Sequence, residues 1–275
     1  VILRGGTGLF TGRVPFVWIV GQVGDAGMLQ TTQNFGSASG TVPYPFNPDP
    51  RAYYPATQPA AGTVLPTNPT VIDTDFKLPQ TWKTSLGIEA ELPWGLRGSL
   101  EGIYNKDVNA AFWRNAGLKD DSAKPLNISG YPDNRLIYPN NNDKYYQVVN
   151  PSTGQPGSGA RAITPIVLGN EKGGYYYSVT AKLEKTFERG FSGMVAYTRS
   201  GAKNLVDGFG DQAYSAWQNN PNVNGANSVE KAYAGYIMPN KVIANVSYRI
   251  EYLKSMASTI SLFYDGGAQG RFSYV

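Results

Sequence analysis

Residues 83–106 read "KTSLGIEAELPWGLRGSLEGIYNK". On the first arm Thr84, Leu86, Ile88, Ala90 and Leu92 alternate with Lys83, Ser85, Gly87, Glu89 and Glu91. A period of two is the mark of a strand with one face in an apolar phase and the other in a polar one. The second arm sets Leu96, Gly98, Leu100, Gly102 and Tyr104 against Arg97, Ser99, Glu101 and Asn105, with Ile103 breaking the polar set. Pro93-Trp94-Gly95 stands between the arms and predicts a three-residue turn, type I followed by a left-handed glycine. Parity supports that length. Pairing Leu92 with Leu96 puts both apolar sets on one face and Glu91 opposite Arg97, whereas an even loop would split them.

The pattern recurs twice. "YYYSVTAKLEKTFERGFSGMVAYTRS" places Tyr175, Tyr177, Val179, Ala181, Leu183 and Phe187 on one face. Phe191, Gly193, Val195 and Tyr197 continue that face after a turn at Glu188-Arg189-Gly190, and Lys185 near the turn can snorkel to an interface. "KVIANVSYRIEYLKSMASTISLFYD" turns Val242, Ala244, Val246, Tyr248, Ile250 and Tyr252 outward. A turn near Leu253-Lys254-Ser255, which lacks glycine, then leads to Ile260, Leu262 and Tyr264.

The joins between hairpins are long and rich in Asn, Asp, Gly and Pro: about 11–80, 107–174 and 201–240. Short turns at one end, long loops at the other and strands of about ten residues are the pattern of outer-membrane barrels. Trp94, Phe187, Phe191 and Tyr252 flank the short turns, and Tyr104, Tyr175, Tyr177, Tyr197 and Tyr264 lie near the loop ends, as two interfacial girdles require. The fold expected is therefore all-β, an antiparallel transmembrane β-barrel. The competing arrangement is a soluble antiparallel sandwich, in which the tyrosine-bearing faces would pack against a second sheet.

Composition agrees. Only 16% of the 275 residues are charged, against 32 glycines, 19 prolines and 19 tyrosines; soluble domains carry about 25% charged residues. The net charge of +4 is small and scattered, giving no nucleic-acid groove. With neither cysteine nor histidine, disulfides, ordinary zinc sites, Ser-His-Asp triads and Cys-His pairs are excluded, so no catalytic role, cofactor or metal is expected. No apolar run reaches the roughly 18 residues of a membrane helix.

The glycine-rich start, Arg4 to Gly12, has no P-loop lysine and no strand-turn-helix setting. It reads as an ascending strand over residues 2–10 whose two faces are hard to tell apart. The run Val14 to Val20 reads as that strand's outer end and a loop base against the barrel rim, since Pro15 would break a helix. About seven strands result. Because an open edge in lipid leaves backbone groups unpaired, further strands are expected from sequence outside this one or from a second chain. The opening on "VILRGG", without a basic or initiator segment, reads the same way.

The segments "RGGTGLFTGRVPFVW", "LPWGLRGSLEGIYNKDVNA", "AKLEKTFERGFSGMVAYTRS" and "SYRIEYLKSMASTISLFYDG" resemble, in order, the C-terminal barrel half of Oar-like TonB-dependent receptors, outer-membrane proteins of Gram-negative bacteria. The resemblance implies a 22-stranded barrel of which residues 1–275 are part. It also implies a plug and TonB box not present here, and uptake of a bulky solute such as an oligosaccharide, peptide or chelate. Implied partners are outer-membrane lipid, the TonB complex through the missing N-terminal part, and in some branches a surface lipoprotein. The alternative is a non-transporting surface, adhesion or assembly protein with long outer loops.

Candidate solute contacts are the lumen-facing charges Glu89, Glu91, Arg97, Glu101, Lys182, Glu184, Arg249 and Glu251, which cross-strand pairing also explains in the case of Glu91 with Arg97. Asp207, Asp211 and the run at 140–143 offer calcium-type oxygens without a calcium-loop spacing, so solvated loop is expected. Tyr44, Phe46, Tyr53 and Tyr54 could stack on a sugar or peptide, but in a proline-rich loop self-packing is the simpler reading. Asn127-Ile128-Ser129 and Asn245-Val246-Ser247 match the glycosylation sequon by chance in a bacterial context.

Overall fold

The computed structural model describes residues 1–24, 45–54, 56–57, 68–130, 134–147, 162–186, 190–206, 210, 212–253 and 256–271. Among them seven long strands run in chain order: β1 (Ile2–Thr11), β2 (Gln80–Leu92), β3 (Leu96–Asn115), β4 (Tyr175–Thr186), β5 (Phe191–Asn204), β6 (Asn240–Leu253) and β7 (Met256–Gly267). Each pairs antiparallel with its sequence neighbours, giving the sheet order β1 to β7 without a crossover. Such a meander needs only local reversals, which is why hairpin signals in the sequence were sufficient to trace it.

Register carries the apolar face across the sheet. Leu92 lies opposite Leu96 and Glu91 opposite Arg97, as parity requires. Ile88, Leu100, Ala181, Tyr197 and Val242 then follow one another across five strands. No second sheet covers this face among the described residues, and its side chains stand open, with Leu86 60% and Leu262 74% exposed. The sandwich arrangement is thereby excluded, and lipid is the medium such a face requires. Pairing with β2 also settles the ambiguous β1, where Leu3, Gly5, Thr7 and Leu9 share the apolar face and Arg4 the polar one. The outer edges of β1 and β7 pair with no strand among the described residues.

Aromatic rings lie over glycine backbone at the outer belt. A Cβ on Gly201 would sit 2.7 Å from the Tyr177 ring, and one on Gly266 would sit 2.3 Å from the Tyr264 hydroxyl. Glycine at these positions lets each tyrosine lie flat along the wall. Trp82 joins this belt, its indole N–H donating to Thr7 Oγ1 at 2.8 Å.

Several local readings change. At the first turn Trp94 as well as Gly95 is left-handed, with φ of 65° and 69°. The cost of about 1–2 kcal/mol for a non-glycine residue is accepted where the indole projects, 83% exposed, at the inner interface. Gly190 is left-handed (φ 78°), whereas Phe187 to Arg189 lie outside the described residues. Leu253 is not in the third turn. It pairs with Met256 after a register shift, leaving Lys254 and Ser255, which lie outside the described residues, as the connection.

The run after Pro15 is helical, not extended: α1 spans Phe16–Gly24. Pro15 precedes the first helical residue, where a missing N–H costs nothing, and its carbonyl accepts from the Trp18 N–H at 3.0 Å. Instead of ending near residue 106, β3 runs on to Asn115. There it leaves the wall and pairs with Ile166–Glu171, which lies parallel to Thr70–Ile72. This small sheet, α1 and α2 (Ala213–Gln218) enclose a core of Trp113, Leu118, Ile166, Leu168, Ala216 and Trp217, with Trp18 edge-on to Trp113 at 5.2 Å. The long loops thus build a folded cap beyond the wall.

Candidate functional site

The polar face of the wall is the candidate site. Alternation along β2, β3, β4 and β6 turns Glu89, Glu91, Arg97, Glu101, Lys182, Glu184, Arg249 and Glu251 to this side, opposite the apolar set. Five of them join one chain of charges across four strands. Arg4 reaches Glu101 at 3.3 Å and Glu89 at 4.0 Å. Arg97 reaches Glu89 and Glu184, each at 3.6 Å, and Lys182 closes on Glu184 at 2.8 Å. Although Arg97 is opposite Glu91 in register, its guanidinium turns to Glu89 and Glu184 instead. Arg249 and Glu251, at 3.0 Å along one strand, form a separate pair.

Arg4, which sequence reasoning left out, extends the chain to β1 and alone brings in Glu101. A strand with Gly5, Gly6 and Gly8 at its centre has no legible faces, and the missing signal was that β1 must pair with β2, so that Leu3 facing Ile88 puts Arg4 inward. The site is wet: the Arg4, Arg97 and Glu101 side chains are each more than two-fifths exposed. Pairs of this kind contribute 0 to about 1 kcal/mol each. A groove of about 760 Å³ opens beside them, lined by Glu91, Arg97, Glu184, Ser192, Met194 and Asn245. Alternating signs across this surface present hydrogen-bond donors and acceptors without a strong field of one charge type.

The cap carries its own polar centre. Asn227 accepts from the Asn115 N–H at 2.9 Å and the Trp217 indole at 3.0 Å, and donates to the Asn115 carbonyl at 2.9 Å and to Asp120 at 3.2 Å. One side chain so ties the 205–239 loop to the end of β3. Tyr138 donates to Asp120 at 3.4 Å, and burial, reinforced by the Asp120 charge, pushes its phenol up to about 12. Among the calcium candidates, Asn140 donates to Asp143 at 2.6 Å across the helical turn Asn141–Lys144, while Asp207 and Asp211 lie outside the described residues. Tyr44 lies outside them too; Phe46 and Tyr54 are exposed, and the Tyr53 hydroxyl donates to the Pro45 carbonyl.

A meander of long strands, apolar outside, ionic inside, girdled by aromatics and capped by long loops at one end, defines an outer-membrane β-barrel wall. The chain belongs to the outer membrane beta barrel domain family, whose model matches residues 1–265. That membership places it in the bacterial outer membrane. No curated protein and no solved structure matches it significantly.

Proposed function

We propose that the chain is part of the barrel of a TonB-dependent receptor that takes up a bulky solute such as an oligosaccharide, peptide or chelate, without making or breaking bonds in it. The observation that carries this reading is the mixed-sign ionic ladder from Arg4 to Lys182, a hydrated surface suited to a large polar solute. Among the described residues the outer edges of β1 and β7 are unpaired, which fits a barrel wider than seven strands. Outer-membrane lipid surrounds it, the TonB complex engages a plug upstream, and a surface lipoprotein is a further partner. A second reading, a non-transporting adhesion or assembly protein, draws on the folded cap, since a core of two tryptophans makes a rigid surface for contact with another cell or protein. Uptake of labelled oligosaccharides and peptides by cells carrying or lacking the gene separates the two. Accumulation that requires both the gene and the proton gradient supports transport; uptake indifferent to the gene removes it.

A further inference from the structure

The charges of the wall are sorted by face in a way that solute passage does not explain. Every Asp and Glu on the seven strands, from Glu89 on β2 to Asp265 on β7, falls at an inward position. Inward Arg4, Arg97, Lys182, Lys241 and Arg249 each reach one of these carboxylates. The outward face at the loop end is the reverse. Lys106, Arg199 and Lys203 point out there, Arg271 joins them just after β7, and none has a carboxylate partner among the described residues.

These cations are gathered rather than dispersed. Lys106 and Lys203 flank Tyr175 in register, and Tyr233 lies opposite Lys203. The Lys203 Nζ and the Arg271 guanidinium stand 4.8 Å and 4.1 Å from the centroid of that one Tyr233 ring. Arg199 and the Tyr197 hydroxyl both donate to Asn240 Oδ1 at 2.8 Å, which fixes the guanidinium beside the belt. Cation–π contact partly offsets the repulsion between two like charges, but an anion would remove it.

We propose that this patch is a lipid-binding site, in which the cations take the phosphate groups of an outer-leaflet lipid. Cations at the headgroup level attract anionic lipid with about five-fold in affinity for each Lys or Arg. The proposal goes beyond solute uptake and does not depend on it.

The test uses the full-length protein carrying this chain, purified in neutral detergent, with binding read by native mass spectrometry. Diphosphorylated lipid A, its dephosphorylated form and inorganic phosphate are the probes. Diphosphorylated lipid A is expected to bind at least ten-fold more tightly than the dephosphorylated form. The double variant K203Q/R271Q should lose roughly 25-fold, and Lys241→Gln, an inward ion-paired lysine, should lose nothing. Heat-modifiable gel mobility reports folding; should the double variant fail to fold, Lys106→Gln carries the test with a loss of roughly five-fold. Equal binding of the dephosphorylated lipid, unchanged binding by the folded variants, or displacement by inorganic phosphate at equimolar concentration each overturns the proposal.

Discussion

Leu100 on the wall and Leu168 in the cap carry the same side chain into opposite surroundings. Leu100, between Ile88 and Ala181, is half exposed on a face that no protein covers, whereas Leu168 has no exposed surface at all. On the wall, water is excluded by lipid, the protein's part is to pair its backbone, and side chains need only be apolar. In the cap, water is excluded by the protein's own packing, so volume and shape matter as well. One chain therefore obeys the rules of two solvents, and β3 crosses between them: its residues 96–106 follow the first and 110–115 the second.

The sharpest way to break the contrast is to excise volume from the cap. Trp113, 3% exposed and edge-on to Trp18, packs in the core with Ile166 and Leu168. Trp113→Ala should cost the cap about 3–5 kcal/mol. Limited proteolysis of intact cells should then cut the outer loops while the barrel keeps its heat-modifiable mobility. Loss of both together would show that cap and wall fold as one unit.

The reverse change tests the wall. Leu100→Arg puts a charge on the mid-face that lipid covers, with an expected cost of about 2–4 kcal/mol by urea unfolding in phosphatidylcholine vesicles. Leu100→Ala, which keeps the face apolar, should cost far less than a Leu→Ala change in the cap core, because lipid fills the space that packed protein would leave empty. Equal costs at Leu100 and Leu168 would mean that Leu100 is covered by protein.

The two regions also differ in how much of them can be read from sequence. The wall depends on a period of two and on turn parity, both local, so the two faces, the pairing of Leu92 with Leu96 and the inward Glu89, Glu91, Arg97 and Glu101 were legible from residues 83–106 alone. The cap depends on contacts between segments far apart, such as Asn115 with Asn227, and nothing local marks them. The run after Pro15 shows the limit. Its apolar residues fit a strand or a helix, and the choice is made by Trp18 docking on Trp113, a residue near the far end of β3. Arg4 was hidden for a related reason: its face is set by its neighbour β2, not by its own glycines.

Titration gives a gentler separation of the two. Tyr138 has its phenol pushed from 10 up to about 12, by burial and then by Asp120. The folded cap thus holds a proton that the unfolded chain releases above pH 10, so this contribution is whole below pH 10 and is lost as pH climbs toward 12. Protease resistance of the cap should decline across that window, and Tyr138→Phe should flatten the decline. A decline of the same steepness in the variant would assign it to other groups.

The smallest effect belongs to the ionic ladder, and its smallness is informative. Arg97 is 54% exposed and bridges Glu89 and Glu184 through contacts of 3.6 Å. Each such pair is worth at most about 1 kcal/mol in a hydrated setting. Arg97→Gln should therefore shift the urea midpoint barely at all, and less still at high salt, where screening removes what remains. If the ladder is there for solute, the same variant should change the rate of solute uptake while stability holds. A stability loss comparable with that of Trp113→Ala would instead mean that the wall's inner face is dry and packed against another part of the protein, and that the charges serve the fold.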